Sequence, residues 1–166
     1  MARKKNNYVN NADFYAAMKQ YKDQVDQAEA AGKPAPRIPN YIGECIYEIA
    51  NRLSYKPNFI NYPFREEMIG DGMENAIMAI NNFNPDKSKN PFAYFTQIIY
   101  FAFVRRIQKE KKQLYIKHKT AENTALFDEV ASGDSEHATM DYQSEYMDDF
   151  VREYERKLEE KKEKAK

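Results

Sequence analysis

The chain has 166 residues, 26 of them basic and 26 acidic, with five glycines, two histidines and one cysteine. That length suits one domain of ordinary size plus appendages, and no apolar run approaches the roughly 20 residues of a membrane span, so no membrane partner is expected. Cys45 alone cannot form an internal disulfide or a multi-thiolate zinc site; from the polar start Met1-Ala2-Arg3-Lys4-Lys5 no secretory signal is expected, and a reducing cytoplasm is the expected compartment.

The charge is segregated. Residues 102–121 carry seven basic groups and one acidic, while residues 122–160 carry three basic and thirteen acidic. A neutral chain with such blocks is an electric dipole. The basic block suits a polyanion; the acidic block suits either a solvated helix or a segment that lies on basic surface. The basic start at residues 3–5 reads as a solvated terminus.

Helix is predicted nearly throughout. Asn11 is the expected cap of the first helix, with Asp13 in its first turn and Gly32 as its stop. Phe14, Met18, Tyr21, Val25 and Ala28 recur at four- and three-residue spacing, an amphipathic stripe. Pro34, Pro36 and Pro39 then make a connector, which closes an N-terminal region over 1–40. A second helix from about Asn40 to Tyr55 places Ile42, Ile46, Ile49 and Leu53 on one face, with Cys45 as a small core residue, and Pro57 ends it. It opens a core region expected over 41–119.

Asn61, Tyr62 and Pro63 open a third helix, with Glu66 and Glu67 near its positive end. Gly70 and Gly72 inside it each cost about 1 kcal/mol against alanine, so close approach of another backbone is expected there. A turn follows over residues 84–88. Asn90 and Pro91 start a fourth helix, which runs through Phe92, Phe95, Ile99 and Phe103 to Gln113 or beyond. Ile98 to Val104 alone could be a strand; the cap before it and the basic continuation after it favour helix. Residues 120–138 are expected to be a loop or disordered. A last helix over 139–164 completes an acidic region spanning 120–166, with Tyr142, Tyr146, Phe150, Tyr154 and Leu158 four apart.

The informative constellation is aromatic and basic. Six of the twelve residues from Phe92 to Phe103 are aromatic, and Arg105, Arg106, Lys109, Lys111 and Lys112 follow directly. One core-facing side can hide about half of those rings. Rings beside a basic helix suit single-stranded nucleic acid, because bases stack on the rings while cations track phosphates. A wedge of this kind can also hold a base flipped from a duplex.

The order of motifs resembles region two of a bacterial sigma factor, and the small size, with no second DNA-binding domain evident, resembles the late-transcription sigma factors of T-even-type phages. Met68-Ile69-Gly70-Asp71-Gly72 stands where that family has two aliphatics and Gln-Glu-Gly. Phe83-Asn84-Pro85-Asp86-Lys87 matches its turn, Phe92-Ala93-Tyr94-Phe95 its aromatic entry and Arg105-Arg106 its basic helix end. The likeness covers about residues 41–113. An ungapped alignment sets Ile98 and Ile99 at the family's paired tryptophans, which leaves Tyr100 or Phe101 to stack on a base.

The resemblance implies an all-α, compact region-two-like domain, with an N-terminal helix and an acidic C-terminal helical extension. It implies binding to the clamp helices of the largest subunit of core RNA polymerase through Glu67, Asp71, Gly72, Met73 and Glu74. It further implies that Phe92, Tyr94, Phe95, Tyr100 and Phe101 engage a melted minus-ten promoter element, with Phe83 completing a pocket for a flipped adenine. Lys87, Lys89, Arg105, Arg106 and Lys109 would contact promoter DNA phosphates, which sets register without reading sequence. A sliding clamp or co-activator is a further implied partner, and the compartment of a phage-encoded factor is the host cytoplasm. No catalytic residue, metal or cofactor is expected, since the polymerase makes the RNA.

Two other classes compete. Glu66, Glu67, Asp71 and Glu74 share a helix face and could bind magnesium in a nuclease, yet no second carboxylate cluster or general base accompanies them. A polymerase-binding adaptor that never touches DNA would bury the rings of the fourth helix.

Overall fold

The computed structural model describes residues 8–132 and 141–165, with side chains described over 8–124 and 149–165. It is built from helices α1 (Asn11–Ala30), α2 (Asn40–Ser54), α3 (Arg65–Met78), α4 (Pro91–Ser132) and α5 (Asp141–Glu163), with a 3-10 turn at Ile80–Asn82. Among the described residues there is no strand, so the fold is all-α and the segment from Ile98 to Val104 is helical. Two compact units divide between Ile107 and Gln108, inside α4. The basic start at residues 3–5, residues 133–138 of the expected loop, and the side chains of Tyr142 and Tyr146 lie outside what is described.

The first unit has one apolar core. Phe14, Met18, Tyr21 and Val25 enter it from α1, and Ile42, Ile46, Ile49 and Leu53 from α2, the faces their spacing predicts. Cys45 is buried among them. Met68 and Ala76 enter from α3, and Phe95, Ile99 and Phe103 from α4. Full burial of a large apolar side chain stabilises by about 1.5–3 kcal/mol, so each of these stripes holds its helix in place.

Three local expectations change. The cap of α1 is Asn10, whose side-chain oxygen accepts the Ala12 N–H at 3.0 Å; Asn11 lies inside the helix. At the other end Gly32 does stop α1, at φ +65°. The Gly32 and Lys33 N–H groups donate back to Glu29 and Ala28 oxygens, a left-handed closure that suits glycine.

The second change is the start of α3, at Arg65 rather than at residues 61–63. Phe59 is buried and pins the preceding turns, where the Phe59 and Ile60 N–H groups both donate to the Lys56 oxygen. Pro63 also keeps Tyr62 out of helical geometry. The third is that residues 120–132 are helical, not loop. No glycine or proline falls between Phe92 and Ser132, and weak apolar periodicity removes a packing face without stopping a helix. The Thr120 and Thr124 hydroxyls donate to the carbonyls four residues back, each at 2.9 Å.

The second unit pairs aromatic rings. Tyr115 of α4 stacks on Tyr154 of α5 with ring centroids 4.9 Å apart, and Phe150 stacks on Tyr154 in turn. The Tyr115 hydroxyl donates to Glu155 Oε1 at 2.9 Å, and Lys119 Nζ lies 3.4 Å from the same oxygen. Val151 is buried, while Leu158, one turn beyond Tyr154, is exposed.

Candidate nucleic-acid interface

Helical geometry sorts the rings of α4 into two sets. Phe95 and Phe103 are sealed in the core with Ile99 between them. Phe14 stacks on Phe95 at 5.6 Å, and Phe59 meets Phe103 edge-on at 5.2 Å. Phe83, just after the 3-10 turn, is also buried and packs against Tyr94 and Phe95. Phe83 and Phe95 therefore present no open face to a base, because the core needs their volume. Phe92 and Tyr94 are half-buried. The Tyr94 hydroxyl donates to the Ala79 carbonyl at 3.1 Å, and burial raises its pKa above the ordinary phenol value.

Tyr100 and Phe101 point outward, 38% and 50% exposed. They meet edge-on at 5.7 Å, and Phe59 buttresses Tyr100 from below at 5.4 Å. Ile99 is buried and Ile98 half-buried, so the two aliphatics at the tryptophan positions serve packing while the next two residues carry the open rings.

The basic residues divide similarly. Arg105 is exposed one helical turn after Phe101, and its guanidinium donates to Asn75 Oδ1 on α3 at 2.8 Å. Arg106 Nε lies 3.0 Å from Asp71 Oδ2. Thus Arg106, expected on DNA, and Asp71, expected on polymerase, hold each other across the α3–α4 seam. Gly72 is part of the same seam. A Cβ there would fall 2.9 Å from side-chain atoms of both Ile99 and Phe103, so this glycine admits α4 rather than an outside partner. Met73 is half-buried against the core. Lys109 is exposed and belongs to the second unit.

Glu67, Gly70 and Glu74 line the outward side of α3 at three- and four-residue spacing, followed by exposed Ile77 and Met78, the latter 75% exposed. Nothing lies within 4 Å of a Cβ built on Gly70. Among the described residues no group of His, Cys, Asp and Glu side chains could hold a metal ion.

Lys87 and Lys89 are exposed on the turn between the 3-10 segment and α4. Asn84 shapes that turn, its side-chain oxygen accepting the Asp86 and Lys87 N–H groups at 2.9 and 3.3 Å. Asn90 caps α4 by accepting the Ala93 N–H at 3.0 Å, with Pro91 at the first helical position. Beside the turn a cavity of about 270 Å³ opens toward α1, walled by Lys19, Lys22, Asp23, Asn81, Asn82 and Phe83 among others.

Two contributions escape sequence reasoning. Asn75 organises Arg105, and also donates from Nδ2 to the Asp71 carbonyl at 2.7 Å. Asn11 reaches the start of α4, where its Oδ1 accepts the Phe92 N–H at 3.2 Å. Consecutive asparagines at 10 and 11 announce one cap; nothing in their spacing names the second helix. Compared with models of known protein families and with curated protein sequences, the chain matches none.

Proposed function

We propose that this protein is a sigma-like initiation factor that binds a bacterial-type core RNA polymerase and captures the melted strand of a minus-ten-type promoter element. The observation that carries this reading is the outward pair Tyr100 and Phe101 beside Arg105, on a helix that commits Phe95 and Phe103 to the core. The open faces of these two rings fit stacking on unpaired bases. Arg105, Lys87 and Lys89 supply cations for phosphates from α4 and the turn before it. Captured bases shift the duplex–bubble equilibrium toward open DNA, and no bond is made or broken by this chain.

The mooring surface in this reading is the outward side of α3. Glu67 and Glu74 offer charge to basic clamp helices of the largest subunit, Gly70 leaves room for a close helix, and Ile77 with Met78 supply apolar area. A role in phage late transcription, in the host cytoplasm and with a sliding clamp or co-activator, belongs to the same reading. Among the described residues no helix is long and apolar enough to cross a membrane.

The second reading, an adaptor that binds polymerase without touching DNA, draws on the burial of Phe83 and Phe95 and on the pairing of Arg106 with Asp71. Transcription from a pre-melted promoter separates the two. With purified protein and core polymerase, the sigma-like reading expects start-site-specific RNA that Phe101→Ala reduces. An adaptor gives no such RNA while still binding polymerase.

A further inference from the structure

Helix α1 lies outside the segment that resembles a sigma factor, yet one of its faces holds the whole turn before α4. Asn11, Tyr15, Met18 and Lys22 recur at four- and three-residue spacing, so they share that face. Met18 fills the core. The other three reach backbone of the segment from Asn81 to Phe92. Lys22 Nζ donates to the Asn81 carbonyl at 3.4 Å, next to Asp26, which it also pairs with at 3.4 Å. The Tyr15 hydroxyl donates to the Pro85 carbonyl at 3.1 Å. Asn11 uses both ends of its amide. Its Nδ2 donates to the Lys89 carbonyl at 3.3 Å, and its Oδ1 accepts the Phe92 N–H at 3.2 Å.

These bonds act on the beginning, middle and end of one turn. The Phe92 N–H is one of the donors that a helix start leaves without an intrahelical partner. Asn90 satisfies its neighbour at Ala93, and Asn11 satisfies Phe92 from another helix. Lys87 and Lys89 sit between the tethered points with their side chains in solvent. Asn84 holds the Lys87 N–H within the turn, while α1 holds the Pro85 and Lys89 carbonyls on either side of it, so the two lysines are placed by backbone bonds and not by contacts of their own side chains.

We infer that α1 is a positioning element for DNA capture, in which Asn11 and Tyr15 set the register of the Lys87–Lys89 turn and of the first turn of α4 against the melted strand. This rests on the sigma-like reading above. Neither residue touches DNA in the proposal; each acts through the backbone it holds. A phosphate contact fixes register only if the backbone carrying it is itself fixed.

The test compares wild type, Asn11→Ala, Asn11→Asp and Tyr15→Phe, each bound to core polymerase, for affinity toward a pre-melted promoter fragment. Asn11→Asp keeps an acceptor for the Phe92 N–H and loses the donor to Lys89, and Tyr15→Phe keeps the ring. Asn11→Ala is expected to bind the fragment about tenfold more weakly, the scale of one or two net hydrogen bonds. Asn11→Asp and Tyr15→Phe should fall between it and wild type. Affinity for polymerase should stay near wild type, the melting temperature of Asn11→Ala should fall by several degrees with its lost bonds while that of Asn11→Asp and Tyr15→Phe falls less, and amide exchange at Phe92 should quicken in Asn11→Ala. If wild type binds the fragment and all three variants bind it equally well, α1 is only a core helix and the inference fails. Should DNA affinity fall only in step with melting temperature, it fails too. If wild type itself ignores the fragment, the sigma-like reading has failed first and carries this inference with it.

Discussion

Gly70 and Gly72 stand two residues apart in α3 and face opposite environments. Gly72 is buried under Ile99 and Phe103, where an added Cβ would meet both at 2.9 Å. Gly72→Ala should destabilise the protein by about 1–3 kcal/mol, the range of an overpacked core, against a smaller helix-propensity gain. Gly70 is exposed with open space around it, so Gly70→Ala should stabilise by about 0.5–1 kcal/mol. Denaturant unfolding of the two variants checks both signs. If the outward side of α3 moors the protein to polymerase, Gly70→Ala should also weaken polymerase binding while strengthening the fold. Unchanged polymerase affinity in that variant would argue against mooring through Gly70.

At the scale of the element, helices declare themselves where an apolar face repeats and hide where polar bonds decide. The stripes of α1 and α2 are legible because Phe14, Met18, Tyr21 and Val25, and Ile42, Ile46, Ile49 and Leu53, are the residues the core takes up. The far half of α4 is not legible, since the helix continues for want of a breaker rather than by packing periodicity. The aromatic helix is legible as a mixture of core and surface, but not as to which rings fall where. Tertiary partners decide that: Phe14 and Phe59 claim Phe95 and Phe103, and leave Tyr100 and Phe101 outside. Cross-helix polar contacts such as Arg106 with Asp71 or Asn11 with Phe92 depend on three-dimensional neighbours that no local spacing encodes.

The pairing of α4 with α5 makes a pH prediction at the same scale. The Tyr115 hydroxyl, donating to the Glu155 carboxylate, is the main cause that holds Glu155 below the ordinary value of 4.5, with Lys119 adding to it. A folded-state pKa lowered in this way contributes stability that is present above the ordinary glutamate pKa. It is lost as pH falls through the lowered value. An NMR titration of the Glu155 carboxyl should therefore show a midpoint below 4.5 that moves up in Tyr115→Phe. A wild-type midpoint at or above 4.5 would contradict the contact.

Taken whole, the molecule has no net charge but concentrates basic residues over 102–121 and acidic ones over 122–160. Affinity for DNA in the sigma-like reading therefore comes from local cations and open rings, not from overall attraction. Three phosphate contacts, by Lys87, Lys89 and Arg105, would give a logarithmic salt slope of about −2 for single-stranded DNA, at roughly −0.7 each. The central claim is that the outward rings of α4 hold unpaired bases. Its most direct test is the affinity of the polymerase-bound protein for a pre-melted promoter fragment, measured for Phe101→Ala and Tyr100→Ala beside each variant's melting temperature. Each substitution should weaken binding by about 1–3 kcal/mol, the value of one base–aromatic stack, with Phe101→Ala nearly as stable as wild type and Tyr100→Ala losing in addition the stability of its edge contact with Phe59. Binding that is indifferent to both rings would contradict it.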